Sequence, residues 1–450
     1  MTRRIALACL TPRTDGDAHG TVTLPSYGIR RIQAAVVSDL QRPNHVVRLF
    51  DNRAADVDAY VQDILAFEPD ILGLSIYVWS TDCLVAVARA VKRRRPQCLI
   101  VFGGPSARPA VFDMPYYQDS SSYLDAVVEG DGEIIFRDIA RLPDLTRSAL
   151  EAIPGLTLRT GTSWRRTARP TPPASLDVMP SAFQLGLMPH GSVAYLETFR
   201  GCPLSCRFCE WGAMDRESGL FSAAYIAREL RAFARVEAPL VFLLDAGLNL
   251  NMRAFRNLRQ AGEETGLLAG QSFWAEVYPV ALRQEHLDFL RDVGPAYLGV
   301  GLQSMDPAVL KLHQRQADSP RFEETVRRLA EVTSIELQII MALPGDTPDG
   351  FRRTLDYALS LPAAVRVYHC LVLPDALMTR ALPGWDMVFD PRTLAMISCL
   401  GWSQDAIEAM RAEVAQKTRI AGGKVGDYWW AFPPPPAVRL RQGSVHAMPA

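Results

Sequence analysis

A chain of 450 residues is long for one hydrophobic core, and at roughly 150 residues per domain it implies about two to four domains. Its 48% apolar and 22% charged residues are those of an ordinary globular protein, and a net charge of −1 gives no electrostatic reason to expect nucleic acid or an anionic membrane as partner. The first apolar run, 5–10, is too short to span a bilayer and breaks at Pro12; eight cysteines without a secretion signal fit a reducing, cytoplasmic setting rather than a disulfide framework.

Residues 1–141 alternate strand and helix signals, the pattern of a doubly wound, flavodoxin-like (Rossmann-like) parallel sheet. Strands are expected at 5–10, 45–50 and 71–78. Helices are expected near 27–37, over Val57, Tyr60, Val61, Ile64 and Leu65 up to Pro69, and over Leu84, Val87, Ala88 and Val91 behind Ser80 or Thr81. Arg93, Arg94 and Arg95 end the last of these, where cations suit the negative end of the helix dipole. Strand exits carry Ser75-Ile76-Tyr77-Val78-Trp79-Ser80, then Gly103-Gly104-Pro105, then Glu129-Gly130-Asp131-Gly132-Glu133. Ligands of such sheets gather at the carboxyl ends of the strands, and glycine there admits a bulky flat group or nucleotide tail that a Cβ would block.

Residues 142–190 are rich in proline (Pro154, Pro170, Pro172, Pro173, Pro180, Pro189) and read as a stiff, extended linker. From 191 a strand feeds a loop presenting Cys202, Cys206 and Cys209, a C-x3-C-x2-C spacing. Three thiolates within eight residues converge on one metal centre. A structural zinc normally takes four protein ligands, which His190 or a remote cysteine would complete; a 4Fe–4S cubane with three cysteines keeps one iron open for a small molecule. Further strands are expected at 240–245, 273–278, 297–302, 335–343 and 365–373. Residues 376–450 fit neither repeat: a helix near 404–417 and the crowded aromatics Tyr428, Trp429 and Trp430 are expected to fold over the preceding domain, those three being candidate substrate contacts or seals.

The cysteine loop, with Phe208 just before its third cysteine, resembles the signature of the radical S-adenosylmethionine (SAM) superfamily. Gly299-Val300-Gly301-Leu302-Gln303-Ser304 resembles that family's Gly-Leu-Gln-Ser strand, Leu343-Pro344-Gly345-Asp346-Thr347 its Leu-Pro-Gly-Asp/Glu-Thr turn, and Leu371-Val372-Leu373-Pro374 its strand-six exit. The resemblance implies a partial (β/α)6, TIM-like barrel over 191–375; residues 376–450 beyond it read as a small, mostly helical extension. It implies a 4Fe–4S cluster on Cys202, Cys206 and Cys209 whose open iron binds SAM and splits it to a 5′-deoxyadenosyl radical. Contacts to SAM fall on Phe208, Asp245, Glu276, Gln303, Pro344 and Gly345. Asp245-Ala246-Gly247 stands where the family has Gly-Gly-Glu, so Asp245 or backbone carbonyls must remake the contact to the SAM amino group.

The three glycine-bearing exits of the N-terminal third resemble the cobalamin-binding domain found before many radical SAM domains. That resemblance implies cobalamin contacts at Ser75, Tyr77, Trp79, Gly103, Gly104, Glu129 and Gly130. The Asp-x-His-x-x-Gly motif of many cobalamin domains is absent; Asp17-Ala18-His19-Gly20 lacks its spacing, so His19 reads as a loop histidine. The implied activity is methylation of an unactivated carbon of a small, natural-product substrate through methylcobalamin, with a flavodoxin- or ferredoxin-type electron donor. The alternatives are a non-methylating radical reaction on the same scaffold, or a cobalamin- and iron–sulfur-binding protein without turnover.

Overall fold

The computed structural model describes residues 2–11, 24–41, 45–52, 55–213, 219–316 and 319–435. The chain divides into two compact units, 1–192 with 391–393, and 193–390 with 394–450. The loop holding His19 lies outside the described residues.

The first unit runs β1 (Arg4–Leu10), α1 (Tyr27–Val37), β2 (Val46–Asn52), α2 (Val57–Phe67), β3 (Ile71–Ser75), α3 (Thr81–Arg94), β4 (Leu99–Gly103), α4 (Pro109–Phe112), β5 (Ala126–Val128), α5 (Gly132–Arg141), α6 (Arg147–Glu151), β6 (Leu156–Thr160) and β7 (Ser163–Arg166). Its sheet has the order β2-β1-β3-β4-β5-β6-β7. The first five strands are parallel, the doubly wound order expected from the sequence. Segment 142–190 is not extended throughout. Leu156 and Leu158 alternate into the core, and β6 and β7 form a hairpin that lengthens the sheet antiparallel to β5. Residues Ile5, Leu7, Ile71, Val101, Ile135, Phe136 and Ile139 belong to a core cluster under α1 and α5, where Arg31 and Glu133 form a buried ion pair at 3.0 Å.

The second unit opens with β8 (Ala194–Leu196), β9 (Phe199–Arg200) and β10 (Gly219–Leu220). It continues α7 (Ala223–Arg235), β11 (Leu240–Leu243), α8 (Met252–Thr265), β12 (Ser272–Val277), α9 (Gln284–Asp292), β13 (Ala296–Gln303), α10 (Pro307–Leu312), α11 (Ser319–Ala330), β14 (Ser334–Met341), α12 (Pro348–Ser360) and β15 (Ala364–His369). It ends with β16 (Val388–Phe389), β17 (Met396–Ser398), α13 (Gln404–Ile420), β18 (Lys424–Val425) and β19 (Trp429–Phe432). The open main sheet has the order β18-β19-β15-β14-β13-β12-β11-β8: six parallel strands in chain order, as a partial (β/α)6 barrel requires. The C-terminal extension adds more than the expected helix, because β19 pairs antiparallel with β15 and closes that edge. One face packs on helices, with Phe273 against Phe289 of α9 and Phe289 against Phe255 of α8. The opposite face holds Glu276, Gly299, Glu336, Gln338 and Arg366 side by side in register. Among the described residues no helix is long and apolar enough to cross a membrane.

Gly73 sits in β3 where an added Cβ would lie 2.7 Å from Phe136 Cε2 and 2.9 Å from Leu7 Cδ2. Gly73→Ala is expected to destabilise the first unit by about 1–3 kcal/mol through overpacking, measured by denaturant unfolding.

Candidate functional site

In the second unit the strand ends are tied to one another by side chains. Asp245, just past β11, accepts the Thr198 N–H at 2.8 Å and the Phe199 N–H at 3.4 Å on Oδ1, and the Thr198 hydroxyl on Oδ2. Both oxygens are therefore committed to the chain entering the cysteine loop. Asp245 thereby holds that chain in place. Burial pushes its carboxyl up to about 7, against the pull of the Thr198 bonds. Asn249 grips Tyr278 beyond β12 through its backbone N–H and carbonyl, at 2.9 and 2.7 Å.

Cys202 and Cys206 are buried and Cys209 is half-buried. Among the described residues no three His, Cys, Asp or Glu side chains are drawn to the spacing of a single metal ion. The cysteines of a cubane sit on different irons, so single-ion spacing is not what a cluster asks of them. Arg315 and Arg380 reach this loop from elsewhere in the chain. Arg315 Nη1 lies 3.9 Å from Cys206 Sγ, and its guanidinium covers the Tyr278 ring at 5.1 Å. Arg380 donates to the carbonyls of Cys206 and Cys209. Phe208 packs on His313 with ring centroids 5.7 Å apart. His313 Nε2 lies 2.9 Å from Pro344 O, and the ring rests against Trp385 at 4.9 Å. Fully buried, His313 has its pKa drawn down to about 4 by desolvation, so the ring is neutral and Nε2 carries the proton it donates. One histidine thus joins Phe208 to the turn at Pro344 and Gly345.

β13 is the floor of the polar side. A Cβ on Gly299 would lie 2.3 Å from Glu276 Oε1 and 2.6 Å from Gln338 Nε2; one on Gly301 would lie 2.5 Å from Gln303 Nε2 and 2.9 Å from Arg315 Nη2. The two glycines therefore let four polar side chains lie across the strand. Gln338 donates to Glu276 Oε1 at 3.0 Å. Beside them Arg366 pairs with Glu336 at 3.0 Å, and Tyr297 donates its hydroxyl to Glu336 at 2.8 Å. Trp429 lies over Arg366 at 5.0 Å, whereas Trp430 is buried with Arg411 of α13 at 5.6 Å, and Tyr428 packs on His369. Of the three aromatic candidates, Trp429 shares the face of Glu276, and Trp430 is a packing residue. Sequence reasoning missed Arg315, Arg380, His313, Gln338 and Arg366.

In the first unit the exits of β3 and β4 are stitched together, Ile76 N–H donating to Gly103 O at 2.7 Å. Gly104, at φ +96°, has room for no Cβ, which would meet Ile76 O at 2.6 Å. Tyr77 and Trp79 stack at 4.6 Å; Trp79 is 51% exposed and donates from Nε1 to Leu10 O at 3.2 Å. Ser75 bonds the Tyr77 hydroxyl, whose pKa burial drives up. Gly130 borders open space, and a Cβ on Gly103 would meet only Val128 Cβ, at 4.0 Å. Glu129 differs: it accepts from Thr157 Oγ1 at 2.6 Å and stands 3.5 Å from Arg166, which ties it to the β6–β7 hairpin.

Burial pushes Glu276 up to about 7 from an ordinary 4.5, against the Gln338 bond. The folded protein then holds this proton more tightly than the unfolded chain. Its contribution is fully present below pH 4.5 and is lost as pH rises to about 7; Asp245 titrates in the same sense. Glu276→Gln is expected to flatten part of that slope and to raise stability near pH 8 by roughly 1–3 kcal/mol, measured by urea unfolding of metal-free protein across this range.

Comparison with known proteins agrees with this geometry. Residues 196–358 match the radical SAM superfamily and residues 24–140 the B12 binding domain. The chain is 30% identical over 387 residues to 2-(S-pantetheinyl)-carbapenam-3-carboxylate methyltransferase of Streptantibioticus cattleyicolor, covering 78% of this chain and 53% of that one. To the cobalamin-dependent radical SAM methyltransferase TokK of Streptomyces tokunonensis it is 29% identical over 380 residues, with the same coverage; the chain thus spans about half the length of these curated relatives. The fold is similar to that of the radical SAM methyltransferase TsrM of Kitasatospora setae, with a TM-score of 0.65 at 16% identity over 92% of this chain and 88% of that one. The two domains imply a 4Fe–4S cluster with SAM, and cobalamin. The residues present fit both groups: three cysteines in one loop beside a polar cradle, and glycine-edged strand ends beside a half-exposed aromatic stack. The chain carries a radical SAM domain and a B12-binding domain.

Proposed function

We propose that this protein methylates an unactivated carbon of a small, natural-product-like molecule. When bound, the cluster with SAM supplies a hydrogen-abstracting radical and cobalamin supplies the methyl group. The observation that carries this reading is the presence in one chain of a braced three-thiol loop and a glycine-edged cobalamin cradle. The relative named for 2-(S-pantetheinyl)-carbapenam-3-carboxylate supports a small-molecule substrate.

In this reading Cys202, Cys206 and Cys209 hold the cluster. Glu276, steadied by Gln338, accepts the ribose hydroxyls of SAM, with Gln303 beside it. Phe208, Pro344 and Gly345 border the nucleoside end. Ser75, Tyr77, Trp79, Gly103, Gly104 and Gly130 receive the cobalamin, and Trp429 offers an aromatic face to substrate. Electrons come from a flavodoxin- or ferredoxin-type donor. None of these residues need act as a general acid or base; they bind, orient and exclude water.

Protein reconstituted without oxygen is expected to bind iron and cobalamin, to release 5′-deoxyadenosine from SAM under reduction, and to yield a product heavier by one methyl group. Release of 5′-deoxyadenosine with an unchanged carbon count would replace methylation by another radical reaction. No release at all would leave a binding protein. Cys206→Ala is expected to abolish 5′-deoxyadenosine formation with the cobalamin content unchanged. Gly103→Ala, whose Cβ would meet only Val128 Cβ at an ordinary 4.0 Å, is expected to lower cobalamin retained per chain while the unfolding midpoint stays near wild type.

A further inference from the structure

The cysteine loop is held by something other than regular structure. Between Cys202 and Cys209 there is no helix or strand. Its carbonyls turn instead toward Arg380, which lies beyond the exit of β15. Arg380 Nη2 donates to Cys206 O at 2.9 Å, to Arg207 O at 3.4 Å and to Cys209 O, and Nη1 reaches Ser205 O at 3.5 Å. Arg207 returns the grip. Its Nη1 donates to Arg380 O at 3.0 Å, its Nε to Leu312 O at 3.2 Å, and its N–H to His313 O at 3.0 Å. The two arginines thus exchange bonds with each other's backbone across 173 residues of sequence.

A loop without ladder hydrogen bonds has many conformations to lose when it takes up a ligand. A guanidinium is a rigid fork of donors that can satisfy several carbonyls together, which a lysine ammonium on a flexible stem does less well. We propose that Arg380 is a positioning residue that pre-forms the three-cysteine loop before any cluster arrives, with Arg207 as its reciprocal strap. It acts through backbone carbonyls, not on the sulfurs or on substrate. The inference rests on reading the loop as a cluster site; the bracing itself is a property of the metal-free chain.

Hydrogen–deuterium exchange of metal-free protein tests it directly. The Arg207 and Cys209 amides are bonded to His313 O and Cys206 O and are expected to exchange slowly. In Arg380→Met they should exchange at least about tenfold faster, while amides of β13 and β14 keep their wild-type rates. After anaerobic reconstitution, iron should leave the variant for a chelator at least about tenfold faster than wild type, with Arg380→Lys in between. If Arg380→Met does not give folded protein, Arg207→Met carries the same test, since it releases the strap and leaves the Arg380 side chain in place. Unchanged exchange at the two amides, or faster exchange spread evenly over the sheet, would overturn the proposal. Wild-type protein that takes up no iron, with the exchange difference intact, would remove the cluster reading and leave the brace standing.

Discussion

Three cysteines on a loop without secondary structure must be held from outside, and much of the second unit's architecture answers that need. Each strand end lends a side chain to a neighbour. Asp245 after β11 holds the chain leaving β8. Asn249 holds Tyr278 after β12, and Arg315 reaches from beyond α10 to Gly301 of β13 and to the sulfur of Cys206. His313 spans from the loop to the turn after β14. The result is a rim in which the cysteine loop has partners on several strands. Burying Asp245 is costly for a carboxylate. The cost is partly offset because both its oxygens find donors on the very segment that must be aimed.

A second constraint is space on β13. Polar groups can cross a strand only where that strand has no side chains on the same face, and Gly299 and Gly301 alternate to leave a path two residues wide. Glu276, Gln338, Gln303 and Arg315 occupy it. The neighbouring Glu336–Arg366 pair is almost fully buried, and the Tyr297 hydroxyl supplies the further bond such a pair needs. The same device serves the first unit, where glycine at position 104 lets the exits of β3 and β4 lie against each other.

What the sequence made legible was contiguous. The C-x3-C-x2-C spacing, the apolar runs of the parallel strands and the glycines at their ends each lie within a few residues, and the local pattern carried both sheets. What was not legible depends on contacts between distant positions. Arg315 meets Cys206 across 109 residues, Gln338 meets Glu276 across 62, and Arg380 meets Cys209 across 171. An arginine or glutamine at those sites looks like any surface residue until the sheet closes. Segment 142–190 failed for another reason. Its prolines outweighed a weaker signal, the alternation of Leu156 and Leu158 before a left-handed Gly161 turn, which makes the β6–β7 hairpin.

The C-terminal aromatics illustrate how a two-residue period separates roles that composition cannot. Tyr428, Trp429 and Trp430 are adjacent, and their crowding suggested one shared task. Once 429–432 becomes a strand against β15, neighbouring side chains must point to opposite faces. Trp429 falls in register with Tyr368, on the face of Arg366 and Glu276, while Trp430 goes to Arg411 and the underside of α13. The cation under Trp429 is already matched by Glu336. The wall it forms therefore offers a π face without net charge, so shape and stacking, rather than ionic attraction, govern what can lie against it.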